Sequence, residues 1–124
     1  MKQKRILVVD DEKNTREGLV KILIKDGYEV AAAKTGAIAL DVVKKQDFDI
    51  IITDLMMPDV SGIDLLAKIK KKKPDIGVII VTAYGEVNSY LKAMTLGAFE
   101  YLNKPIILSE LQCVLNKALN QSRV

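Results

Sequence analysis

Four continuous apolar runs, separated by longer amphipathic stretches, constrain the fold of this chain most strongly. The runs occur in the segments RILVVDD, FDIIITD, IGVIIVT and AFEYLNK. Runs of Val, Ile and Leu bounded by polar or turn residues are typical of parallel strands that crossover helices bury on both faces. With YEVAAA as a further strand after the first helix, the order strand then helix occurs five times, which predicts an α/β fold.

The stretches between the strands predict five helices, over about residues 14–26, 35–46, a segment after Gly62, 86–96 and 108–121. Gly27 and Gly97 stand where the first and fourth helices should end, and Thr35 is placed to cap the second. The apolar spacing assigns these residues to buried helix faces: Leu19, Ile22, Leu23, Ala39, Leu40, Val43, Leu65, Leu66, Ile69, Leu111, Val114, Leu115 and Ala118.

Length and composition predict a single domain that covers residues 1–124. The chain is 49% hydrophobic and 28% charged, which is ordinary for a globular protein. Its MKQKR start leads into a short apolar run that ends in two Asp, so we expect neither a signal peptide nor membrane contact. A single cysteine, Cys113, fits a reducing compartment such as the cytoplasm, and its place in LQCVLNKAL predicts packing within a helix.

The chain contains no histidine, and this excludes several kinds of site. Neither a Ser-His-Asp nor a Cys-His catalytic arrangement is possible within it. A histidine-ligated metal is excluded as well, which leaves oxygen ligands and a hard cation such as Mg²⁺ or Ca²⁺.

Lysines account for much of the formal net charge of +3, in particular Lys68 and Lys70 to Lys73. Cations at the end of a helix complement its carbonyl groups, and Pro74 should stop the helix, so a solvated helix end is the favoured interpretation. Contact with nucleic acid or a protein partner is the alternative. We expect no direct nucleic-acid binding by this domain.

Polar side chains stand at the ends of the four apolar runs. They are Asp10 and Asp11, Asp54, Thr82 and Lys104. Parallel α/β sheets place their sites at the carboxyl ends of the strands, so three carboxylates, one hydroxyl and one ammonium should converge at a single edge.

The acidic residues predict a Mg²⁺ site. Adjacent carboxylates at a strand end are costly unless a cation neutralises them, and Mg²⁺ is commonly held by one or two carboxylates, water and phosphate. Asp11 and Asp54 suit direct ligation, with Asp10 binding directly or through water and a loop carbonyl adding a neutral oxygen. The alternative is that Asp10, Asp11 and Glu12 merely cap the first helix, which does not account for Asp54.

Asp54 is the candidate nucleophile, because carboxylates form acyl phosphates in enzymes and a nearby metal neutralises the incoming phosphoryl oxygens. Lys104 would clamp the phosphoryl group from the other side. Thr82 can donate one hydrogen bond to it, and the backbone N–H of Ala83 can donate another if the loop turns toward the site. A strand-end threonine without such a role remains the alternative for Thr82.

The motifs ILVVDDE, DLMMPDVSGIDLL, IIVTAYG and GAFEYLNKP, in this order and spacing, resemble the receiver domains of bacterial two-component response regulators. The resemblance covers essentially the whole chain and implies a flavodoxin-like, doubly wound sheet of five strands in the order 2-1-3-4-5. It implies that a partner histidine kinase or phosphotransfer protein phosphorylates Asp54, and that the Met56 carbonyl joins the carboxylates at Mg²⁺. It also implies a cis peptide bond before Pro105.

Tyr101 matches the aromatic switch position of that family. A phosphoryl group adds about −1.5 to −2 charges and three acceptors at the site, toward which Thr82 should move. An aromatic ring on the fifth strand can then swing into the vacated space, with Ala83, Tyr84 and Gly85 as the hinge. We expect the surface of the fourth helix, fifth strand and fifth helix to change, unless Tyr101 is simply a half-buried strand residue.

Met56 and Tyr84 lie two positions after Asp54 and Thr82, where members of the family vary. We expect both side chains to crowd the path of attacking water and so to tune the lifetime of the acyl phosphate. Plain loop packing is the alternative for both.

The same residues also permit a phosphatase that turns over an external substrate. Haloacid dehalogenase phosphatases use an Asp nucleophile, a Lys and Mg²⁺, but their nucleophile ends the first strand and a second Asp follows it two residues later. Here Asp54 ends the third strand, Met56 follows, and no substrate-sized insertion is visible. We therefore expect a switch that promotes only its own phosphorylation and dephosphorylation.

The segment TAYGEVNSYLKAMTLGAFEYLNKP is most similar to receivers of the nitrogen-regulatory type, which precede an ATPase that activates σ54 promoters. The resemblance implies the regulatory domain of a σ54-dependent activator, with a phosphorylation-dependent homo-oligomer. Since no effector domain is visible before Val124, a stand-alone phosphorelay protein is the alternative.

Overall fold

The computed structural model describes residues 3–121. The predicted domain limits, residues 1 and 124, lie outside this range. The strands are Arg5–Val9 (β1), Glu29–Ala33 (β2), Ile50–Asp54 (β3), Gly77–Thr82 (β4) and Glu100–Asn103 (β5). The helices are Lys13–Lys25 (α1), Gly36–Lys45 (α2), Gly62–Lys72 (α3), Val87–Thr95 (α4) and Leu108–Gln121 (α5).

The five strands form one parallel sheet in the order β2-β1-β3-β4-β5, which confirms the predicted doubly wound topology. The strand order reverses between β1 and β3, where Val9 lies opposite Thr53. In open α/β sheets this reversal opens a crevice outside the carboxyl ends of the strands. The topology therefore places β1 and β3, which end next to the predicted acidic residues, on either side of that crevice.

Helices bury both faces of the sheet, and alternate residues of each central strand enter different cores. One core lies under α2, α3 and α4 and includes Leu7, Ile51 and Ile80. The other lies under α1 and α5 and includes Val8 and Ile52. Burial on both faces explains why β1, β3 and β4 have continuous rather than alternating apolar sequences.

Three helices begin at the side-chain caps that their sequences provide. The Glu12 carboxylate accepts from the N–H of Asn14 at 2.7 Å and so caps α1. Thr35 caps α2 as predicted, and Ser61 caps α3. Gly27 and Gly97, with φ of 97° and 103°, follow the ends of α1 and α4, in the left-handed region where glycine is favoured.

Two side-chain predictions were wrong. Ile22 is 39% exposed, because it borders a surface groove between α1 and the segment that follows β5. Cys113 is exposed on α5. It lies two residues from buried Leu111, a spacing that puts it on nearly the opposite side of a helix.

The predicted helix and strand boundaries were close, and β5 begins two residues later than its apolar segment. The apolar pattern starts β5 at Ala98, whereas the strand runs from Glu100 to Asn103. The N–H of Ala98 donates to the carbonyl of Ala93 at 3.0 Å, so this residue closes the end of α4 instead of joining the sheet. Leu40 and Ala118, expected to be buried, are half-buried.

At the end of α3, Lys68, Lys71 and Lys72 are exposed, as a solvated helix end predicts, but Lys70 and Lys73 are half-buried. The Lys70 ammonium donates to the carbonyls of Pro74 and Ile76, at 2.7 and 3.0 Å. Lys73 reaches the carbonyl of Val43 at 2.7 Å. Lys70 therefore binds carbonyl oxygens of the turn after α3, and Lys73 binds one in the last turn of α2, so neither contact is to a carbonyl of α3 itself. Within residues 3–121, no helix has the length and apolar character needed to cross a bilayer.

Candidate functional site

Three carboxylates meet at the carboxyl edge of the sheet. Asp10 and Asp11 directly follow β1, and Asp54 is the last residue of β3. One oxygen from each side chain lies within 4.8 Å of the others, although Asp54 is more than forty residues away in sequence. Asp10 is buried, Asp54 is half-buried and Asp11 is exposed, so the cluster opens to solvent on the Asp11 side.

Lys104 joins two of these carboxylates from beyond β5. Its ammonium lies 2.9 Å from Asp10 Oδ2 and 3.0 Å from Asp54 Oδ2. Burial acts to lower the pKa of Lys104, but the hydrogen bonds and charges of Asp10 and Asp54 outweigh it and raise the pKa above its ordinary value. The ammonium is therefore charged at neutral pH. The peptide bond from Lys104 to Pro105 is cis, as the resemblance implies.

The remaining oxygens of Asp10 and Asp54 accept hydrogen bonds from nearby backbone. Asp10 Oδ1 accepts from the N–H of Glu12 at 2.9 Å, and Asp54 Oδ1 accepts from the N–H of Met56 at 3.2 Å. The Arg16 guanidinium donates to the Asp10 carbonyl at 2.9 Å. Each of the two carboxylates is therefore held by a backbone N–H on Oδ1 and by the Lys104 ammonium on Oδ2.

The donor set fits a hard divalent cation. Three carboxylates face one ammonium, which leaves an excess of negative charge in a partly buried place. In the described part of the chain Asp11 forms no hydrogen bond or ion pair, so its oxygens are free to ligate. Carboxylate oxygens are the ligands that Mg²⁺ prefers, and several open positions suit its retained waters.

Thr82 ends β4 beside this cluster and is fully buried. Its hydroxyl oxygen accepts from the N–H of Tyr84 at 3.0 Å, and its carbonyl accepts from the N–H of Lys104 at 2.8 Å. Thr82 therefore connects the loop after β4, through Tyr84, with the backbone of Lys104. Ala83 is exposed and lies with Lys104 on the wall of a groove.

That groove runs from the site along the surface between α1 and α5. It has a volume of about 520 Å³ and a mostly apolar wall. The lining residues are Thr15, Leu19, Ile22, Ala83, Lys104, Pro105, Ile106, Leu108 and Leu111.

Tyr101 lies on β5, which β4 separates from the strands that carry the acidic cluster, and it is half-buried. Its hydroxyl lies 2.7 Å from the Ser89 hydroxyl of α4. Its ring packs edge-on against Tyr90, with ring centres 5.5 Å apart. Tyr101 is thus held against α4 and the loop before it, not against the carboxylates.

Two glycines allow close packing of the loop between β3 and α3, Gly62 at its end and Gly36 at the start of α2. A Cβ on Gly62 would overlap the carbonyl oxygen of Asp54 and lie 2.8 Å from Cα of Leu55. A Cβ on Gly36 would lie 2.6 Å from Cβ of Val60, so the same loop also packs tightly against the start of α2. Met56 projects from this loop with 59% of its surface exposed, and Tyr84 projects from the neighbouring loop with 72% exposed.

Sequence reasoning missed several residues around the site. Asp59 binds the N-terminus of α2, Arg16 supports the Asp10 backbone, and Ser89 binds the Tyr101 hydroxyl. Asp59 and Ser89 act across 23 and 12 positions of sequence, where no local pattern links them to their partners. Arg16 lies in the first turns of α1, close in sequence to Asp10 and Asp11. This position could have indicated a role near the acidic residues.

Comparison with known proteins agrees with this geometry. Residues 6–116 match the model of the response regulator receiver domain family. The chain is 40% identical over 117 residues to the DNA-binding transcriptional regulator NtrC of Azospirillum brasilense, covering 94% of this chain and 24% of that protein. It is 35% identical to sporulation initiation phosphotransferase F of Bacillus subtilis, covering 96% of each. The chain therefore spans about a quarter of one relative and nearly all of the other.

Solved structures give the same result. The beryllofluoride-activated NtrC4 receiver domain dimer has a TM-score of 0.91 at 36% identity, with 97% of this chain and 99% of that chain covered. Response regulator protein TrrA from Thermotoga maritima, in complex with Mg(2+)-BeF, has a TM-score of 0.86 at 40% identity, with 94% and 100% covered. Sheet order, acidic cluster and sequence similarity lead to one conclusion: the chain belongs to the response regulator receiver domain family.

Proposed function

We propose that Asp54 is the phosphoacceptor of this receiver domain. An Asp54 carboxylate oxygen attacks the phosphorus of a phosphohistidine, the P–N bond breaks, and an acyl phosphate forms while the phosphoryl group stays on the protein. Because the chain has no histidine, we place the donor on a separate histidine kinase or phosphotransfer protein. The observation that carries this proposal is the Lys104 ammonium bridging Asp10 and Asp54 inside the acidic cluster.

Asp10, Asp11, Asp54 and the Met56 carbonyl would hold Mg²⁺. When bound, the cation supplies neutralisation of charge on the phosphoryl oxygens. Support comes from the oxygen-only donor set, and from TrrA, a similar protein whose structure contains Mg(2+)-BeF.

Lys104 and Thr82 orient and stabilise the phosphoryl group from the side opposite the acidic residues. The Lys104 ammonium already contacts Asp54, so a phosphoryl oxygen arriving there exchanges one anionic partner for another. The Thr82 hydroxyl donates to a second oxygen, and the N–H of Ala83 donates to a third. Phosphoryl transfer needs mainly alignment and charge stabilisation, and these three donors supply both once Thr82 has moved toward the phosphoryl group.

The groove beside Lys104 and Ala83 is where the donor protein would approach. Its mostly apolar wall includes Lys104, whose ammonium contacts Asp54, so a partner that packs there would bring its phosphohistidine close to Asp54. This account also explains why Ile22, which has the spacing of a core residue, remains accessible.

Intact mass after incubation with acetyl phosphate and Mg²⁺ tests the proposal. The wild-type chain should gain one phosphoryl group, and Asp54→Ala should gain none. Asp64→Asn, which removes an exposed carboxylate from the first turn of α3, is the matched control and should react like wild type. Adduct formation on Asp54→Ala, or sustained hydrolysis of a phosphomonoester as in a phosphatase, contradicts the proposal.

We infer that Tyr101 transmits phosphorylation to the surface of α4, β5 and α5. Thr82 moves toward the phosphoryl group, and the ring of Tyr101 turns inward, which breaks its hydrogen bond to Ser89 and its packing on Tyr90. Those two contacts connect the switch residue to α4, so their loss changes the α4 surface.

Met56 and Tyr84 are proposed to screen the acyl phosphate from water. Both are exposed and project from the two loops that flank Asp54. Exchanging each for Ser should shorten the lifetime of the phosphorylated form, measured as loss of label after the donor is removed. Unchanged lifetimes for both variants remove this part of the account.

For the whole protein, we propose the regulatory domain of a σ54-dependent activator that self-associates on phosphorylation. Similarity to NtrC, and to an activated NtrC4 receiver domain that is a dimer, supports this context. A stand-alone relay protein is the second candidate, supported by the nearly full-length match to phosphotransferase F. Ultracentrifugation with and without phosphorylation separates them, since an activator domain should associate and a relay protein should stay monomeric.

A further inference from the structure

Asp59 connects two elements that are otherwise far apart in sequence. It lies at the tip of the loop between β3 and α3, and its carboxylate accepts from the first two N–H groups of α2. Oδ1 accepts from Gly36 at 3.2 Å and Oδ2 from Ala37 at 3.0 Å. With the Thr35 hydroxyl on the N–H of Ile38 at 3.1 Å, three of the four free N–H groups of this helix end are satisfied.

The charge on Asp59 suits this position. A carboxylate at a helix N-terminus is favoured by both the free N–H groups and the helix dipole. The N–H groups of Ala37 and Val60 hold the pKa of Asp59 below its ordinary value, with a smaller contribution from Gly36. The side chain is therefore an anion at neutral pH and stays bound to the helix end.

The loop is also closed at its other end. The N–H of Gly62 donates to the carbonyl of Leu55 at 2.8 Å, and the N–H of Leu55 donates to the carbonyl of Val81 at 3.2 Å. Met56 lies between this closed neck and the Asp59 anchor. At the tip of the loop, Val60 follows Asp59 and packs on Gly36 at the start of α2.

We propose that Asp59 is a positioning residue, which anchors the β3–α3 loop to α2 and thereby fixes the Met56 backbone beside Asp54. The inference rests on the proposed function, in which the Met56 carbonyl takes part in holding Mg²⁺. Without the anchor, the neck between Leu55 and Gly62 stays closed. The segment from Met56 to Val60 then keeps only the bond from the Met56 N–H to Asp54 and the packing of Met57 and Val60, and it gains freedom. Mg²⁺ binding must then order that segment, and the entropy lost in doing so weakens the binding.

The test compares Asp59→Ala with wild type, by NMR without metal and by Mg²⁺ titration. The ¹⁵N order parameter of the Met56 amide should fall into the flexible range, below about 0.6. The amides of Gly36 and Ala37 should exchange faster, since their acceptors are gone. The Mg²⁺ dissociation constant should rise about tenfold, the lower end of the effect expected for partners that orient metal ligands.

Two further variants separate anchoring from charge and from folding. Asp64→Asn removes another exposed carboxylate, from the adjacent helix, and should leave the Met56 order parameter and Mg²⁺ affinity at wild-type values. Asp59→Asn keeps a side-chain oxygen acceptor and should give intermediate values. The inference is overturned if Asp59→Ala gives the same Met56 order parameter, or the same Mg²⁺ affinity, as Asp64→Asn. Wild-type protein that binds no Mg²⁺ contradicts the proposed function instead, and the metal-free order parameters still decide whether Asp59 is an anchor.

Discussion

Helices α3 and α4 follow neighbouring strands of the same sheet, yet they are held very differently. α3 buries Ile63, Leu65, Leu66 and Ile69 and begins at the Ser61 cap. Within the described chain, Ala93 is the one buried residue of α4, and the Glu86 side chain provides no cap. Several exposed apolar side chains lie on α4 or just before it: Tyr84, Val87, Tyr90 and Leu91.

The difference in packing suits α3 and α4 to two different roles. The loop that leads into α3 carries Met56 next to the proposed phosphoacceptor, so a firmly packed α3 keeps the site in place. α4 is bound to the sheet through few core contacts and through the Tyr101 side chain, so it can shift at low cost. A switch needs both a rigid site and a weakly held element that responds to it.

Truncating one leucine in each helix should reveal the largest difference in stability between α3 and α4. Leu66 is fully buried, and Leu66→Ala should lower the free energy of unfolding by about 2–5 kcal/mol, through lost burial and a new cavity. Leu91 is 54% exposed, and Leu91→Ala should change it by less than about 0.5 kcal/mol. Urea denaturation measures both, and equal losses would show that α4 is held as firmly as α3.

Glycine substitutions sharpen the comparison at the site itself. Gly62→Ala places a methyl group against the Asp54 backbone and should cost about 1–3 kcal/mol of unfolding free energy, while slowing phosphorylation by acetyl phosphate. Gly18, in the exposed part of α1, has nothing within 4 Å of an added Cβ. Gly18→Ala should instead stabilise by roughly 0.5–1 kcal/mol, because Ala favours a helix. The same sign for both substitutions would contradict the packing argument.

Removing the N-terminal cap should also destabilise the protein more at α3 than at α4, with a smaller loss of unfolding free energy than the core substitution. Ser61→Ala removes the hydroxyl that accepts from the N–H of Asp64 at 3.1 Å and should cost about 1 kcal/mol. Glu86→Ala removes no cap hydrogen bond and should stay within about 0.5 kcal/mol of wild type. Thermal denaturation of both variants checks this, and a larger loss for Glu86→Ala would be the opposite of what the helix ends predict.

The pH dependence of stability reports the Lys104 contacts. In the folded protein the pKa of Lys104 is raised above its ordinary value of 10.5. The contribution of the ammonium to stability is therefore fully present below pH 10.5 and is lost as pH rises through the folded pKa. The stability difference between wild type and Lys104→Met should therefore be constant near neutral pH and shrink above about pH 10.5. A difference that is unchanged into this alkaline range would mean that the charged ammonium contributes nothing.

The sheet and the main site residues were predictable because both depend on local patterns. Buried parallel strands have continuous apolar sequences, and residues at strand ends converge once the topology is known. This is why Asp10, Asp11, Asp54, Thr82 and Lys104 were expected at one edge, where the structure places them.

The remaining features depend on contacts that no local pattern encodes. Ile22 has core spacing, but the segment after β5 leaves a groove beside it. Ala98 has strand-like neighbours, but its N–H completes the turn after α4. Asp59 looks like an ordinary turn residue until α2 is packed beside it. In each case the outcome is decided by a partner distant in sequence.

Hydrogen exchange of the phosphorylated protein tests the central claim most directly. The wild-type chain would be measured with and without acetyl phosphate in the presence of Mg²⁺, with Asp54→Asn as the control. We expect altered exchange in α4 and β5, unchanged exchange in α3, and no change in the control. Unchanged exchange in α4, or a change as large in α3, would contradict it.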